Sequence, residues 1–257
     1  AIEAACWIAI SRADRGILAG DHCQLPPTIK CIEAARGGLG RTLLEKVVLH
    51  KPETVSLLKI QYRMHEDIMR FPSRWFYHDE LEAAPEVKYR GILDFDTPAS
   101  WIDTSELDLQ EKAVAEGTGR LNTGEAELLV RELKNYMERI GIRRILEEHI
   151  DFGVISPYRA QVHYLRHLLK KEPFFRPCRR LITVHTVDGF QGQERDVIMI
   201  SLVRANEKGQ IGFLRDLRRM NVAITRARMK LLILGEAVTL TRHPFYRELY
   251  EYIGGLR

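Results

Sequence analysis

Two apolar runs separated by a short polar loop restrict the fold of this chain more than any other stretch. Leu181-Ile182-Thr183-Val184 and Val197-Ile198-Met199-Ile200-Ser201-Leu202-Val203 flank a loop that holds Asp188, Gly189, Gln191, Gly192, Gln193 and Glu194. Runs so rich in β-branched and large apolar residues, bounded by polar turns, belong to strands covered on both faces. The loop has two readings. Glycines, amides and carboxylates held on rigid strands are the material of a binding site. Gly189 and Gly192 would equally serve a well-capped turn that needs their backbone freedom.

The rest of the sequence continues the alternation of strand and helix. Residues 1–10 carry a helical pattern with apolar residues too dense for a surface helix. A strand is expected at 16–20, running into the polar turn Asp21-His22-Cys23-Gln24, and another at 54–58, leading into Gln61-Tyr62-Arg63-Met64-His65. Helices are expected at 37–50 and from 65 to about 77. Residues 79–120 are polar and broken by Pro85, Gly91, Pro98, Gly117 and Gly119, and read as an irregular insertion around one short strand near Trp101-Ile102-Asp103. Asn122, with Glu125 three residues on, resembles a capping box opening a helix over 123–139, whose apolar stripe is Ala126, Leu129, Val130, Leu133 and Met137. Beyond it come a strand at 152–155, a helix at 159–170, a basic helix at 215–226, a strand at 230–235 and a terminal helix at 244–252. On the basic helix at 215–226, Arg219 and Arg226 are expected to share one face, seven residues apart. The alternation predicts an α/β fold, a parallel sheet with helices on both faces.

Composition narrows the function classes. With 45% hydrophobic and 29% charged residues, the chain has the make-up of an ordinary globular protein. No apolar run approaches the roughly 20 residues that span a bilayer. Cys6, Cys23, Cys31 and Cys178 form no C-x-x-C pair, which argues against a zinc site or disulfide framework and fits a reducing, cytoplasmic setting. A net charge of +4 is too mild to identify a nucleic-acid partner, but arginines cluster at 176–180 and 215–228.

Five segments in order, GDHCQLPP at 20–27, QYRMH at 61–65, SPYRAQ at 156–161, TVDGFQGQERDVI at 186–198 and NVAITRAR at 221–228, resemble the C-terminal motifs of superfamily 1 helicases. The resemblance is to the 5′→3′ branch that contains the nonsense-mediated-decay helicase and the immunoglobulin-mu-binding helicase. It implies RecA-like domains of the P-loop NTPase kind, ATP in the cleft between two of them, and a single strand of DNA or RNA across both. By that resemblance Gln24 senses the γ-phosphate or its attacking water, Tyr62 stacks on adenine, and Arg63 and Arg226 act as arginine fingers. Glu194 binds the ribose hydroxyls, Gly192 lets backbone approach the phosphates, and Ser156, Pro157, His185 and Thr186 line the nucleic-acid path. The chemistry agrees: phosphoryl transfer to water needs positioning and charge neutralisation, and arginine donates bidentately without losing its charge.

One departure is informative. The sequence has no Gly-Lys dipeptide, hence no G-x-x-x-x-G-K-[ST] phosphate cradle, and its only Asp-Glu pair, Asp79-Glu80, follows a helix rather than a strand. The expectation is a C-terminal piece of a longer helicase, beginning just after the magnesium-binding carboxylates. Residues 1–53 would be the tail of a first RecA-like domain and 54–257 the second, with the insertion at about 79–120. ATP and Mg2+ are the expected cofactors, with the Mg2+ ligands in the missing N-terminal part, and the fragment alone is not expected to hydrolyse ATP. Expected partners are single-stranded nucleic acid and the missing RecA-like domain, with no membrane. The alternatives are a catalytically incomplete nucleic-acid-binding module and a protein-interaction domain.

Overall fold

The structure is a computed structural model of the 257-residue chain; it describes every residue except 1, 28, 30, 115–118 and 257, and omits the side chains of 32 and 35. Backbone contacts divide the chain into two compact units, Ala1–Leu58 and Lys59–Arg257.

The first unit is helical and thinly packed. Helix α1 (Glu3–Ile10) buries none of its residues, and Ile8 is 74% exposed, against the expectation of a covered helix. Helix α2 (Leu43–His50) starts later than the pattern suggested, at a full capping box: Thr42 Oγ1 accepts from the Glu45 N–H (3.1 Å) and Glu45 Oε2 accepts from the Thr42 N–H (2.7 Å). The strands expected at 16–20 and 54–58 do not form. Their residues are exposed, Ile17 at 97% and Leu58 at 87%, and Thr54 ends a short 3-10 turn, Pro52–Thr54. A strand needs a neighbour to take up its backbone N–H and C=O groups, and neither stretch has a ladder partner among the described residues.

The second unit is built on a five-stranded, wholly parallel sheet. Its strands are β3 (Ala99–Asp103), β4 (Phe152–Ser156), β5 (Ile182–Thr186), β6 (Arg195–Ser201) and β7 (Ala227–Gly235), in the spatial order β3-β7-β6-β4-β5. A separate two-residue pair, β1 (Ile60–Gln61) with β2 (Glu82–Ala83), precedes them. The expected α/β fold is thus present, but 79–120 is not an insertion outside it. Its strand β3 runs beside β7 from Ala99↔Leu231 to Asp103↔Gly235 as an edge of the main sheet.

Alternation along the strands sends side chains into two cores. Phe152, Val154, Val197, Met199, Leu232 and Leu234 pack with Leu129, Leu133 and Met137 of α4 (Thr123–Ile140) and with Val162 and Leu165 of α5 (Arg159–Lys171). The intervening Ile155, Ile198, Ile200 and Ile233 are fully buried on the opposite face. There Gly153 lies so close to Ile198 and to Phe190 of the short helix α6 (Val187–Phe190) that an added Cβ would sit 2.5 and 2.7 Å from them. Covers on both faces explain why the strands read as continuous apolar runs. An aromatic cluster joins Phe71 and Trp75 of helix α3 (Glu66–Phe76), which follows β1, to Phe245 of the terminal helix α8 (Pro244–Gly254), with ring centroids 5.2 and 5.1 Å apart.

Two local expectations change. The basic helix is shorter than 215–226: α7 spans Leu217–Ile224, with the Asp216 carboxylate accepting from the Arg218 N–H at its start. Thr225 Oγ1 donates back to Asn221 O (2.7 Å) at its end, so Arg226 lies beyond the helix and does not share a face with Arg219. The capping box at Asn122 is half formed. Asn122 Oδ1 accepts from the Glu125 N–H (3.0 Å), but Glu125 turns inward and the Asn122 N–H donates to Gln161 Oε1 (2.9 Å).

Candidate functional site

The parallel strands put the chain's polar groups at two opposite edges of the sheet. At the amino edge, β6 and β7 begin side by side, with Arg195 opposite Ala227. The residues just before them, Glu194 and Arg226, are therefore neighbours. Arg63 reaches the same place from the loop after β1: its Nε donates to Glu194 Oε2 (2.5 Å) and its Nη1 to the Thr225 carbonyl (3.1 Å). The loop holding Arg63 is stiffened by Gln61, whose Oε1 accepts from the N–H groups of Arg63 and Met64 while its Nε2 donates to the Met64 carbonyl. Arg90 donates to the Arg63 carbonyl (2.9 Å), and the His65 N–H donates to the Arg228 carbonyl (2.8 Å), which ties this loop to the start of β7.

Arg226 is buried and donates to three neutral oxygens, those of Val222 (3.0 Å), Gln193 (3.1 Å) and the Thr225 hydroxyl (3.0 Å). Arg228 faces three carboxylates, Asp196 at 3.0 Å, Glu194 at 3.2 Å and Asp151 at 3.8 Å. Burial pushes the Glu194 carboxyl up, but Arg63, Arg228 and Arg226 outweigh it and hold the group below its ordinary range, so it is ionised at neutral pH. Asp151 behaves oppositely: its burial, with the adjacent Asp196 charge, lifts its carboxyl above the usual range despite Arg228 and Arg195. Tyr62, next to Arg63, is 68% exposed. Gly192 has φ +81° and open space where a Cβ would stand, so its backbone angle alone demands glycine.

At the carboxyl edge, β4 and β5 end in register, Ser156 opposite Thr186 and Ile155 opposite His185. Ser156, Pro157, His185 and Thr186 thus sit together, as the carboxyl ends of parallel strands place binding groups. Ser156 is fully buried and accepts from the Tyr158 N–H (3.4 Å). Thr186 caps α6, accepting from the Gly189 N–H (3.4 Å), and the His185 ring packs against Gly189. Five-residue strands separate this group from the arginine edge by roughly 13 Å, at about 3.3 Å per residue.

Gln24 lies in the first unit. Its Nε2 donates to Asp21 Oδ2 (2.9 Å), and Asp21 Oδ1 accepts from the Cys23 N–H (2.9 Å), two bonds within one turn. Asp21, His22 and Cys23 bring possible ligand atoms within 4.8 Å of one another. Burial, with the Asp21 charge, pushes the Cys23 thiol up to about 11, which leaves it protonated at neutral pH. At the arginine edge the carboxylates of Asp151, Glu194 and Asp196 all face guanidinium groups, so they do not form a ligand set for a hard divalent cation.

Sequence reasoning did not single out Arg228, Asp151 or Asp196. Arg228 stood in the matched motif without a role, and the signal for it, two arginines flanking Ala227 at the start of an apolar strand, becomes readable only once β6 and β7 are known to be neighbours.

Two family profiles, each described as an AAA domain, match the chain, one over residues 39–238 and one over residues 1–31. DNA-binding protein SMUBP-2 of Rattus norvegicus is 36% identical over 263 residues, covering 98% of this chain and 25% of that protein. An uncharacterized ATP-dependent helicase of Methanocaldococcus jannaschii is 36% identical, covering 98% of this chain and 37% of its own length. The Drosophila melanogaster homologue of regulator of nonsense transcripts 1 is 34% identical, covering 97% and 21%. The chain spans between about a fifth and somewhat over a third of these relatives. With most of its length matched by one family profile and its five motifs in order, the chain belongs to the AAA-domain family, among the superfamily 1 helicases.

Proposed function

We propose that this chain is the C-terminal motor part of an ATP-dependent nucleic-acid helicase. The observation that carries the reading is the meeting of three separate motifs at one edge of the sheet: Arg63 from QYRMH against Glu194 from QGQER and the Thr225 carbonyl from ITRAR. In this reading Arg63 and Arg226 neutralise the phosphates of ATP, Tyr62 stacks on its base, Glu194 takes the ribose hydroxyls and Gly192 admits the phosphates. Gln24 contacts the γ-phosphate or its water. Ser156, Pro157, His185 and Thr186 hold the backbone of one strand, DNA or RNA, without reading its sequence. Residues 1–53 are the tail of a first RecA-like domain and 54–257 the second, close to the division between the two compact units after Leu58. The first unit supports this, since Leu25 and Leu43 are its only buried apolar side chains among the described residues while Trp7, Ile8 and Leu49 are exposed.

In the structure Arg63 is held by Glu194, and both side chains are more than a third exposed or close to it, 34% and 40%. Ion pairs so open to water contribute only about 0–1 kcal/mol. A phosphate can therefore take Arg63 from Glu194 at little cost, which frees the carboxylate for a hydroxyl donor. Mg2+ would neutralise phosphate charge when bound, and its ligands lie outside this chain in this reading, as does the phosphate cradle. The compartment in this reading is a reducing cytoplasm. No helix among the described residues is long and apolar enough to cross a membrane.

The test is steady-state ATP hydrolysis by the protein joined to its P-loop domain. Arg63→Ala should lower turnover by about 10³-fold or more, as expected of an arginine finger, and the 257-residue chain alone should show none. Full turnover in the Arg63→Ala enzyme would remove the finger from the reading.

A further inference from the structure

We infer that a cleft at the carboxyl end of β6 is an additional nucleotide subsite, which takes one base and its phosphate from the bound strand; the inference rests on the helicase reading above. The cleft has a volume of about 520 Å³ and is lined by Arg120, Tyr158, Arg204, Gly212, Phe213 and Arg215. None of these residues belongs to the set that the motif resemblance assigns to ATP or nucleic acid.

The cleft is a built feature. Just after β6 the Arg204 N–H donates to the Leu202 carbonyl (2.8 Å), with Val203 between them at φ +70°. A β-branched residue strongly disfavours that left-handed angle, and such strain persists only where the surroundings impose it, commonly at functional sites. Here Glu125 Oε1 accepts from the Val203 N–H (2.9 Å), and Asn122 Nδ2 donates to the Val203 carbonyl (3.4 Å). The turn delivers Arg204, only 5% exposed, into the wall of the cleft. Its Nε lies 2.7 Å from Glu111 and its Nη1 donates to the Tyr158 hydroxyl (3.3 Å). Gly212, at φ +56°, closes over this pair so tightly that a Cβ would lie 2.4 Å from Arg204 Nη1.

The lining has the chemistry of a nucleotide site. Phe213 is 42% exposed, and its ring centroid is 5.5 Å from that of Tyr158 and 5.7 Å from the Arg219 guanidinium. That is an aromatic face backed by a second ring and a cation, the platform on which bases stack irrespective of sequence. Glu111 contacts both Arg204 and Arg120, so one carboxylate faces two guanidiniums. Arg215 is exposed and makes no ion pair among the described residues, while nearby Asp216 is engaged by Arg218 and Arg219. The surplus of positive charge calls for an anion beside the ring.

Position selects a strand over a free nucleotide. Tyr158 belongs both to the cleft and, through its N–H on Ser156, to the edge that carries Ser156, Pro157, His185 and Thr186. The cleft therefore prolongs that edge, at the opposite end of the sheet from Arg63 and Arg226.

The experiment is fluorescence anisotropy of the 257-residue chain with labelled oligothymidylate and oligouridylate of about twenty nucleotides, longer than the ~4–16 that one binding module covers. Phe213→Ala should weaken binding about fivefold or more, the lower bound for losing one base–aromatic stack, whereas Phe213→Tyr should stay within about twofold. Arg215→Ala should reduce the slope of log affinity against log salt by about 0.7, the loss of one phosphate contact on a single strand. Circular dichroism melts of the three variants, all altered at exposed positions, check the fold. Wild-type binding with unchanged affinity and salt slope in both alanine variants overturns the subsite alone. Failure of the wild type to bind either strand at low salt overturns the nucleic-acid reading and the subsite together. Thymidine monophosphate binding that depends on Phe213, with strand binding that does not, overturns the subsite in favour of a free-nucleotide pocket.

Discussion

Replacing Glu125 by Gln should remove a loss of stability that the wild type suffers as pH rises, so that the variant is the weaker protein in acid and the stronger one in alkali. Glu125 is fully buried behind the end of β6, where its Oε1 accepts from the Ser201 hydroxyl (2.5 Å) and the Val203 N–H (2.9 Å), while Oε2 has no hydrogen-bond partner among the described residues. Burial lifts its carboxyl to about 7 from an ordinary 4.5; the Glu236 charge adds to the lift, and the bonds from Ser201 and Val203 oppose it. The folded state therefore holds this proton more tightly than the unfolded chain. The stability so conferred is complete below about pH 4.5 and is lost as pH rises through about 7. A gap of about 2.5, at about 1.4 kcal/mol for each pH unit, amounts to about 3 kcal/mol. Gln keeps the accepting oxygen and cannot ionise, but it sets an amide N–H₂ where Oε2 stood, at a pH-independent cost of about 1–2 kcal/mol. Glu125→Gln should thus be less stable than the wild type by about 1–2 kcal/mol at pH 4.5 and more stable by a similar amount at pH 8.5. Urea unfolding followed by circular dichroism at four pH values and constant salt measures both proteins. A difference that stays within about 0.5 kcal/mol over that range would refute the assignment of a protonated, buried Glu125.

Other perturbations probe the packing. Gly153→Ala drives a methyl group into Ile198 and Phe190 and should destabilise by about 1–3 kcal/mol in the same assay; an unchanged midpoint would mean that the face under α6 is looser than described. Lys230 is 5% exposed and sits 3.2 Å from Asp96, which also accepts from the Tyr136 hydroxyl (2.9 Å) and faces Arg139 at 3.6 Å. Burial lowers the pKa of Lys230, and Asp96 only partly restores it. Lys230→Met should cost about 3 kcal/mol by taking from Asp96 its most buried cation, and Asp96→Asn in the same chain should recover most of that loss. A double variant no more stable than Lys230→Met would show that the pair is not what holds this corner.

Much of the fold could be read directly because it rests on local chain properties. The runs at 181–184 and 197–203 became β5 and β6, and the run at 230–235 became the end of β7. Such runs are legible since a strand buried on both faces must be apolar at every position. The errors at 16–20 and 54–58 have the same root. Their apolar residues satisfy the pattern, but a strand exists only where a neighbour accepts its hydrogen bonds, and no window of sequence contains that neighbour. In the stretch 79–120 the short strand expected near Trp101 forms as β3, but its polar, proline-broken surroundings gave no sign that it joins the main sheet as an edge.

By itself the sequence determined the class of fold, the loops on which the polar motifs sit, and the absence of a phosphate cradle within these 257 residues. Tertiary structure alone decided how the charges are shared. Arg63 and Glu194 stand 131 residues apart in the chain and 2.5 Å apart in space, and with 35 acidic residues to choose from no spacing rule could have paired them. Likewise only the sheet order places the arginine motifs and the Ser156–Thr186 group at opposite edges, and only the strained turn at Val203 brings Arg204 beside Tyr158 and Phe213. Periodicity is a property of neighbours along the chain, whereas ion pairs, clefts and edges depend on distances that are set after the strands have chosen their partners.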